Sequence, residues 1–178
     1  MRSRYKFEKI PGNIYFVTFT VIGHIPIFTN SLYNNILINN FKFYQEHENL
    51  KIFYYVIMDN HLHLIVRHDH DVSKVIKNYK SFTAKEMIKS LHKDKREWIL
   101  YLLKYYKKQH KQNSTYQFWE EGSHPKLISD TKMLYQKIGY IHRNPVKRGL
   151  VAKPEDWYYS SAKNNAGLDN CFEIDELQ

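Results

Sequence analysis

Apolar positions along the chain recur at two periods, every second residue or every third to fourth, and the switches between them mark out the elements. Residues 13–21 (NIYFVTFTV) are β-branched and aromatic and follow Pro11-Gly12, which predicts a strand. From Asn30 or Ser31 to about Glu48, a stripe of Tyr33, Ile36, Leu37, Phe41 and Tyr44 predicts a helix. Residues 51–58 (KIFYYVIM) and 61–67 (HLHLIVR) read as two strands of a hairpin turning at Asp59-Asn60. Residues 72–91 are helical again, with Val75, Ile76, Tyr79, Phe82 and Met87 apolar and Ser73 near the start. A further helix is predicted from Asp94 to about His110, ending in Lys104, Lys107, Lys108 and Lys111, with a mobile polar break at 112–114.

Residues 116–119 and 124–128 flank Gly122 and are both strand-like, and one of them is expected to be the fourth core strand. A helix capped by Ser129 or Asp130 should run to about Arg143, with Met133, Leu134, Ile138 and Ile141 apolar. Pro145 is expected to stop it. The remaining residues read as loops and a short helix, with a frayed acidic end (EIDELQ).

This order predicts an α+β fold, a ferredoxin-like antiparallel sheet of βαββαβ type with helices on one face. An inserted helix and a C-terminal helix complete it. The chain reads as one domain over 1–178, with a core at about 13–161, an insertion at 94–114 and a tail at 162–178.

The formal net charge of +9 favours a polyanionic partner, although a lysine-rich surface also serves solubility. Aromatic residues make up 16% of the chain, a supply that suits either a core or a base-stacking surface. The single cysteine, Cys171, permits no internal disulfide and suits a reducing compartment. No apolar segment follows the basic start MRSRYKFEK, and no run is long enough to span a bilayer, so a cytoplasmic protein with no membrane partner is expected.

In an extended strand His61 and His63 point to one side, and Leu62, Leu64 and Val66 to the other. Two imidazoles so placed can converge on one metal ion if a neighbouring element supplies a third ligand. A bare H-x-H pattern is also a common surface arrangement. Tyr140 and Asn144 stand four apart, one above the other on the last predicted helix.

The stretches YYVIMDN before HLH, FWEEGSHPKLI, YIHRNPVKRG and WYYSS together resemble the single-tyrosine HUH transposases, nearest to their REP-associated branch. The resemblance spans residues 15–161. It implies that His61 and His63 bind a divalent metal, Mg or Mn, that Asn144 completes the metal shell, and that Tyr140 is the nucleophile. It also implies a single-stranded, hairpin-forming DNA partner, and leaves both a monomer and a homodimer open. The 94–114 segment is longer and more basic than in compact members, and the resemblance supplies no role for it. His124 stands at a family motif position but is read here as structural or superficial.

A free tyrosine, with a pKa of about 10, needs help to attack a phosphodiester at neutral pH, and a metal on the scissile phosphate would provide it. The expected product is a 5′-phosphotyrosine with a free 3′-OH, whose retained ester energy permits rejoining without ATP. Lys80, Lys85, Lys104, Lys107, Lys108, Lys147 and Arg148 could all follow a DNA backbone, and Lys147 and Arg148, next to the tyrosine helix, are the expected contacts. Tyr158 and Tyr159 beside Trp157 could stack bases or pack the tail onto the sheet, and packing is the expected role. The expected activity is that of a transposase or domesticated transposase. The alternative is a catalytically silent nucleic-acid-binding regulator of repeats, for which an intact tyrosine nucleophile would have no use.

Overall fold

The computed structural model describes Phe7 and residues 10–177. Most of the basic N-terminal stretch and the last residue, Gln178, lie outside the described residues. The elements follow in the order β1 (Ile14–Thr20), α1 (Ser31–His47), β2 (Lys51–Ile57), β3 (His61–Arg67), α2 (Val72–Lys93), α3 (Glu97–Tyr105), β4 (Lys126–Leu127), α4 (Thr131–Lys147) and α5 (Ala162–Asn165). Short 3-10 turns occupy Ile22–His24, Ile27–Thr29 and Pro154–Asp156. The sheet runs β2-β3-β1-β4, antiparallel throughout, which is the ferredoxin-like order. None of the described helices is long and apolar enough to cross a membrane.

Alternation along the strands divides the protein into two layers of packing. Tyr15, Val17 and Phe19 of β1 and Leu62, Leu64 and Val66 of β3 enter the larger core, which also takes Leu37 and Phe41 of α1 and Ile76 and Tyr79 of α2. Phe16, Val56, Met58 and Ile65 face the other way and receive Ile138 and Ile141 of α4. Thus α1 and α2 cover one face and α4 covers part of the other. Asn30, Asp71 and Asp130 cap α1, α2 and α4, each side chain accepting from a first-turn N–H. Met58 N–H donates to the His61 carbonyl (2.8 Å), closing the predicted turn at Asp59-Asn60.

One open choice is resolved and three expectations change. The fourth strand is Lys126–Leu127, paired with Tyr15 and Phe16, while Trp119 bridges Val21 at the opposite end of β1. The inserted helix is confined to α3, because a turn with Lys95 at positive φ separates it from α2 and its basic tail lies in turns.

Pro145 does not stop α4. It costs the Ile141 carbonyl its helical donor, but its fixed φ suits a last turn, and the helix runs on to Lys147. The stop is Gly149 at φ +68°, where Gly149 N–H donates to Val146 (2.9 Å) and Leu150 N–H to Pro145 (3.0 Å), a Schellman closure.

The acidic end is docked, not frayed. Asp175 accepts from Ile52 N–H (2.9 Å) and pairs with Lys51 (3.0 Å), and Phe172 is buried. Further up, Ile57 N–H donates to the Tyr159 carbonyl, Ser161 exchanges bonds with Tyr55, and Trp157 Nε1 donates to the Ile57 carbonyl. The tail therefore satisfies the outer edge of β2, which would otherwise present unpaired backbone groups.

A Cβ at residue 149 would meet no neighbour within 4 Å, so Gly149→Ala isolates the cost of a left-handed backbone. It is expected to destabilise the protein by about 1 kcal/mol, a fall of roughly 2–4 °C in melting temperature, with Gly149→Asn less affected. Thermal unfolding followed by circular dichroism measures the difference.

Candidate active site

The sheet face not covered by α1 and α2 carries the two histidines. His63 sits opposite Thr18 on β1 and Val56 on β2, and His61 opposite Thr20. Their ring centroids are 4.9 Å apart, close enough for both to address one point. Phe16 stacks on His63 at 5.2 Å and 22°, closing the lower side of the site with an apolar ring.

Hydrogen bonds orient both imidazoles. Asn60 Nδ2 donates to the His24 carbonyl (3.1 Å), which turns Asn60 Oδ1 toward His61 Nδ1 (2.7 Å). An amide oxygen only accepts, so Nδ1 of His61 holds the proton and Nε2 keeps its lone pair. His63 Nδ1 meets Thr18 Oγ1 at 2.8 Å, and its Nε2 is buried with no partner among the described residues. Burial lowers the pKa of both rings, and that of His63 falls to about 3 with help from the neighbouring His61 and Lys137. Both are therefore neutral near pH 7, the form that ligates metals. An orphaned buried nitrogen in a native site calls for a further partner such as an ion.

α4 supplies the other half of the site. The Tyr140 ring stands edge-on to His63 at 5.1 Å and to Phe16 at 5.9 Å. Arg148 ends the same helical stripe and binds Asp59 Oδ2 (2.9 Å), two residues before His61. Asn144 lies between these two anchors, one turn from each, and is buried; no side-chain hydrogen bond ties it among the described residues. Because α4 continues past Pro145, Asn144 has helical geometry and lies on the stripe between Tyr140, which meets His63, and Arg148, which meets Asp59. His61, His63, Tyr140 and Asn144 thus share one face of the fold.

Lys147 Nζ lies 5.9 Å from the Tyr140 ring centre and Lys137 Nζ 6.0 Å, so two cations flank the tyrosine. Lys137 and Phe16 were not singled out in the sequence. Lys137 could have been found by its spacing, one turn before Tyr140, whereas Phe16 needed the strand register. Arg148 spends part of its guanidinium on Asp59, so it also latches α4 to the hairpin turn. Lys80 is not available to a DNA backbone: it donates to the Glu120 and Gly122 carbonyls, and burial lowers its pKa to about 8. His124 is exposed, at positive φ just before β4.

Among the described residues no three His, Cys, Asp or Glu side chains cluster as a metal site. A metal here would rest on two imidazoles and an amide oxygen, a mixed nitrogen and oxygen set open to further oxygen ligands from a phosphate or water. A concavity of about 760 Å³ between α2 and residues 111–125 lies on the other side of the sheet and has no part in this site.

A family model described as "Transposase IS200 like" matches residues 12–124, a span that includes both histidines and ends before α4. A Haemophilus influenzae protein provisionally named a REP-associated tyrosine transposase is 27% identical over 162 residues, covering 89% of this chain and 85% of that protein. A solved structure of a REP-associated tyrosine transposase bound to a REP hairpin aligns with a TM-score of 0.64 at 20% identity, over 99% of this chain and 93% of the other. At that identity the likeness is one of fold.

On the far side of α4, His142 Nε2 meets Ser161 Oγ (3.0 Å), and burial lowers its pKa to about 4 from an ordinary 6.5. Between these values the unfolded chain binds more protons, so the stabilising contribution is complete above pH 6.5 and is lost as pH falls toward 4. In chelator, the melting temperature should fall over that window, and less steeply in His142→Gln. Parallel curves for the two proteins would refute the assignment.

Proposed function

The chain belongs to the IS200-like transposase family, and from that premise we propose that it cleaves and rejoins single-stranded DNA at hairpin-forming sites with Tyr140 as nucleophile. The observation that carries this reading is the Tyr140 ring held against His63, whose Nε2 is buried with no partner among the described residues. The related solved structure holds a REP hairpin, and a hairpin-forming single strand is the substrate class we assign.

His61 and His63 through Nε2, and Asn144 through its amide oxygen, would hold Mg or Mn, which supplies Lewis-acid polarisation of the scissile phosphate. Thr18 and Asn60 fix the ring orientations by engaging the opposite nitrogens. The Tyr140 oxygen bonds to phosphorus as the bond to the 3′ oxygen breaks. The phenolic proton passes to solvent, and the departing oxygen takes up a proton from solvent to become a 3′-OH. Lys137 and Lys147 beside the ring favour the negative charge that develops on the attacking oxygen and the phosphate. Lys147, and the guanidinium N–H groups of Arg148 not spent on Asp59, hold flanking phosphates. The covalent 5′-phosphotyrosine keeps the energy of the diester, so a 3′-OH from another strand can reverse the step and complete strand transfer.

Labelled single-stranded hairpins incubated with the protein and Mg or Mn should give a covalent adduct on a denaturing gel. Tyr140→Phe should abolish it, and chelator should suppress it. A persistent adduct in Tyr140→Phe would show that another residue attacks, and tight binding without any adduct would favour a silent binding module. Thr18→Val removes an outer-sphere bond from His63 and should raise the metal concentration needed for adduct formation about tenfold or more, with the adduct restored at high metal.

A further inference from the structure

The outer face of α3 breaks the pattern of the rest of the surface. Helices normally turn charged or polar residues to solvent. Here Ile99, Leu100 and Leu103 are buried, and the opposite face carries Trp98, Tyr101 and Tyr105 at 57%, 65% and 68% exposure. Spaced at i, i+3 and i+7, these three rings fall within one narrow stripe. Tyr101 and Tyr105 lie nearly parallel, 22° apart with centroids at 6.2 Å. Tyr15, Tyr33, Tyr44, Tyr55 and Tyr79, by contrast, are buried.

Cations outnumber anions around the stripe, where Glu97 is the exposed carboxylate of the first turn of α3, and the balance favours a polyanion. Lys104 and Lys108 are exposed beside it, and neither forms an ion pair among the described residues. Lys95 and Arg96 are exposed at its N-terminal end. Flat rings with flanking cations are the combination that holds single-stranded nucleic acid, bases on the rings and phosphates on the cations.

The C-terminal end of α3 is linked to the turn that orients His61. Tyr106, at the C-terminal end of α3, packs on Gly23 so closely that no Cβ would fit. The next residue, His24, accepts through its carbonyl the hydrogen bond that orients Asn60, and Asn60 sets His61. α3 therefore sits on the rim of the sheet where the histidine strand begins.

We propose that Trp98, Tyr101 and Tyr105 form a stacking platform for unpaired bases of single-stranded DNA flanking the cleavage site, with Lys104 and Lys108 on its backbone. This rests on the function proposed above and gives the inserted segment a task, that of holding the strand and not of cutting it.

Trp119 is in the core and Trp157 is half-buried, so the quenching assigned to Trp98 is the part of the wild-type signal change that is lost in Trp98→Phe. Titration with oligothymidylate of about 20 nucleotides should quench the wild-type signal, and a duplex of equal length should do so far less. The triple variant W98A/Y101A/Y105A should bind the single strand at least about tenfold more weakly by anisotropy. Its adduct yield at saturating hairpin DNA should match wild type. Tyr101→Phe with Tyr105→Phe, which keeps the rings, should retain affinity. A triple variant with wild-type affinity would overturn the platform and leave the proposed function standing. So would a change from dimer to monomer in sedimentation with affinity preserved, which would make the stripe a contact between copies. A wild type that binds neither probe and forms no adduct would overturn both readings.

Discussion

The seven-residue register of β3 between β1 and β2 is the constraint on which the rest of the structure depends. It holds Leu62, Leu64 and Val66 in the core beneath α1 and α2 and leaves His61 and His63 on the opposite face. A slip of one residue would exchange the faces, burying imidazoles among aliphatic side chains and exposing leucines. The stability of the larger core thus enforces the placement of the histidines. The same register puts Thr18 and Phe16 of β1 around His63, so a neighbouring strand sets the orientation and the packing of the ring.

α4 meets that face as a rigid body fastened at several points. Ile138 and Ile141 pack on the sheet, His142 reaches Ser161, and Arg148 reaches Asp59. A tyrosine on such a helix is held by the spacing of its anchors and not by hydrogen bonds of its own. Its surroundings combine a half-exposed phenol, two nearby cations and two neutral imidazoles. The nearby carboxylate, Asp59, is paired with Arg148 through one oxygen.

Most of the architecture could be read from local pattern. The hairpin of β2 and β3, the helix stripes and the pairing of His61 with His63 rest on periods of two and three to four, which side-chain direction dictates. What local pattern missed depends on distant partners. Pro145 looks like a stop only until Gly149 closes the helix two residues further on than Lys147, with Leu150 donating back to the proline carbonyl. The acidic tail looks frayed because its charges mask Phe172 and Asp175, whose partners lie on α1 and β2. Lys80 looks like a surface cation, yet its partners are carbonyls forty residues away. Thr18 and Asn60 carry no signal of their own, and their importance appears only when the strands are paired.

The seal on the outer edge of β2 comes from the stretch between Trp157 and Asp175, more than a hundred residues after the strand itself. During synthesis on the ribosome, the sheet edge therefore waits open until almost the whole described chain has emerged. The helix bearing Tyr140 also comes late and leans on that same stretch through Ser161. A truncated translation product would have its histidines in place, but its tyrosine helix would be missing or unsupported and its sheet edge bare. Premature termination would thus yield a sticky fragment and not a partly active one.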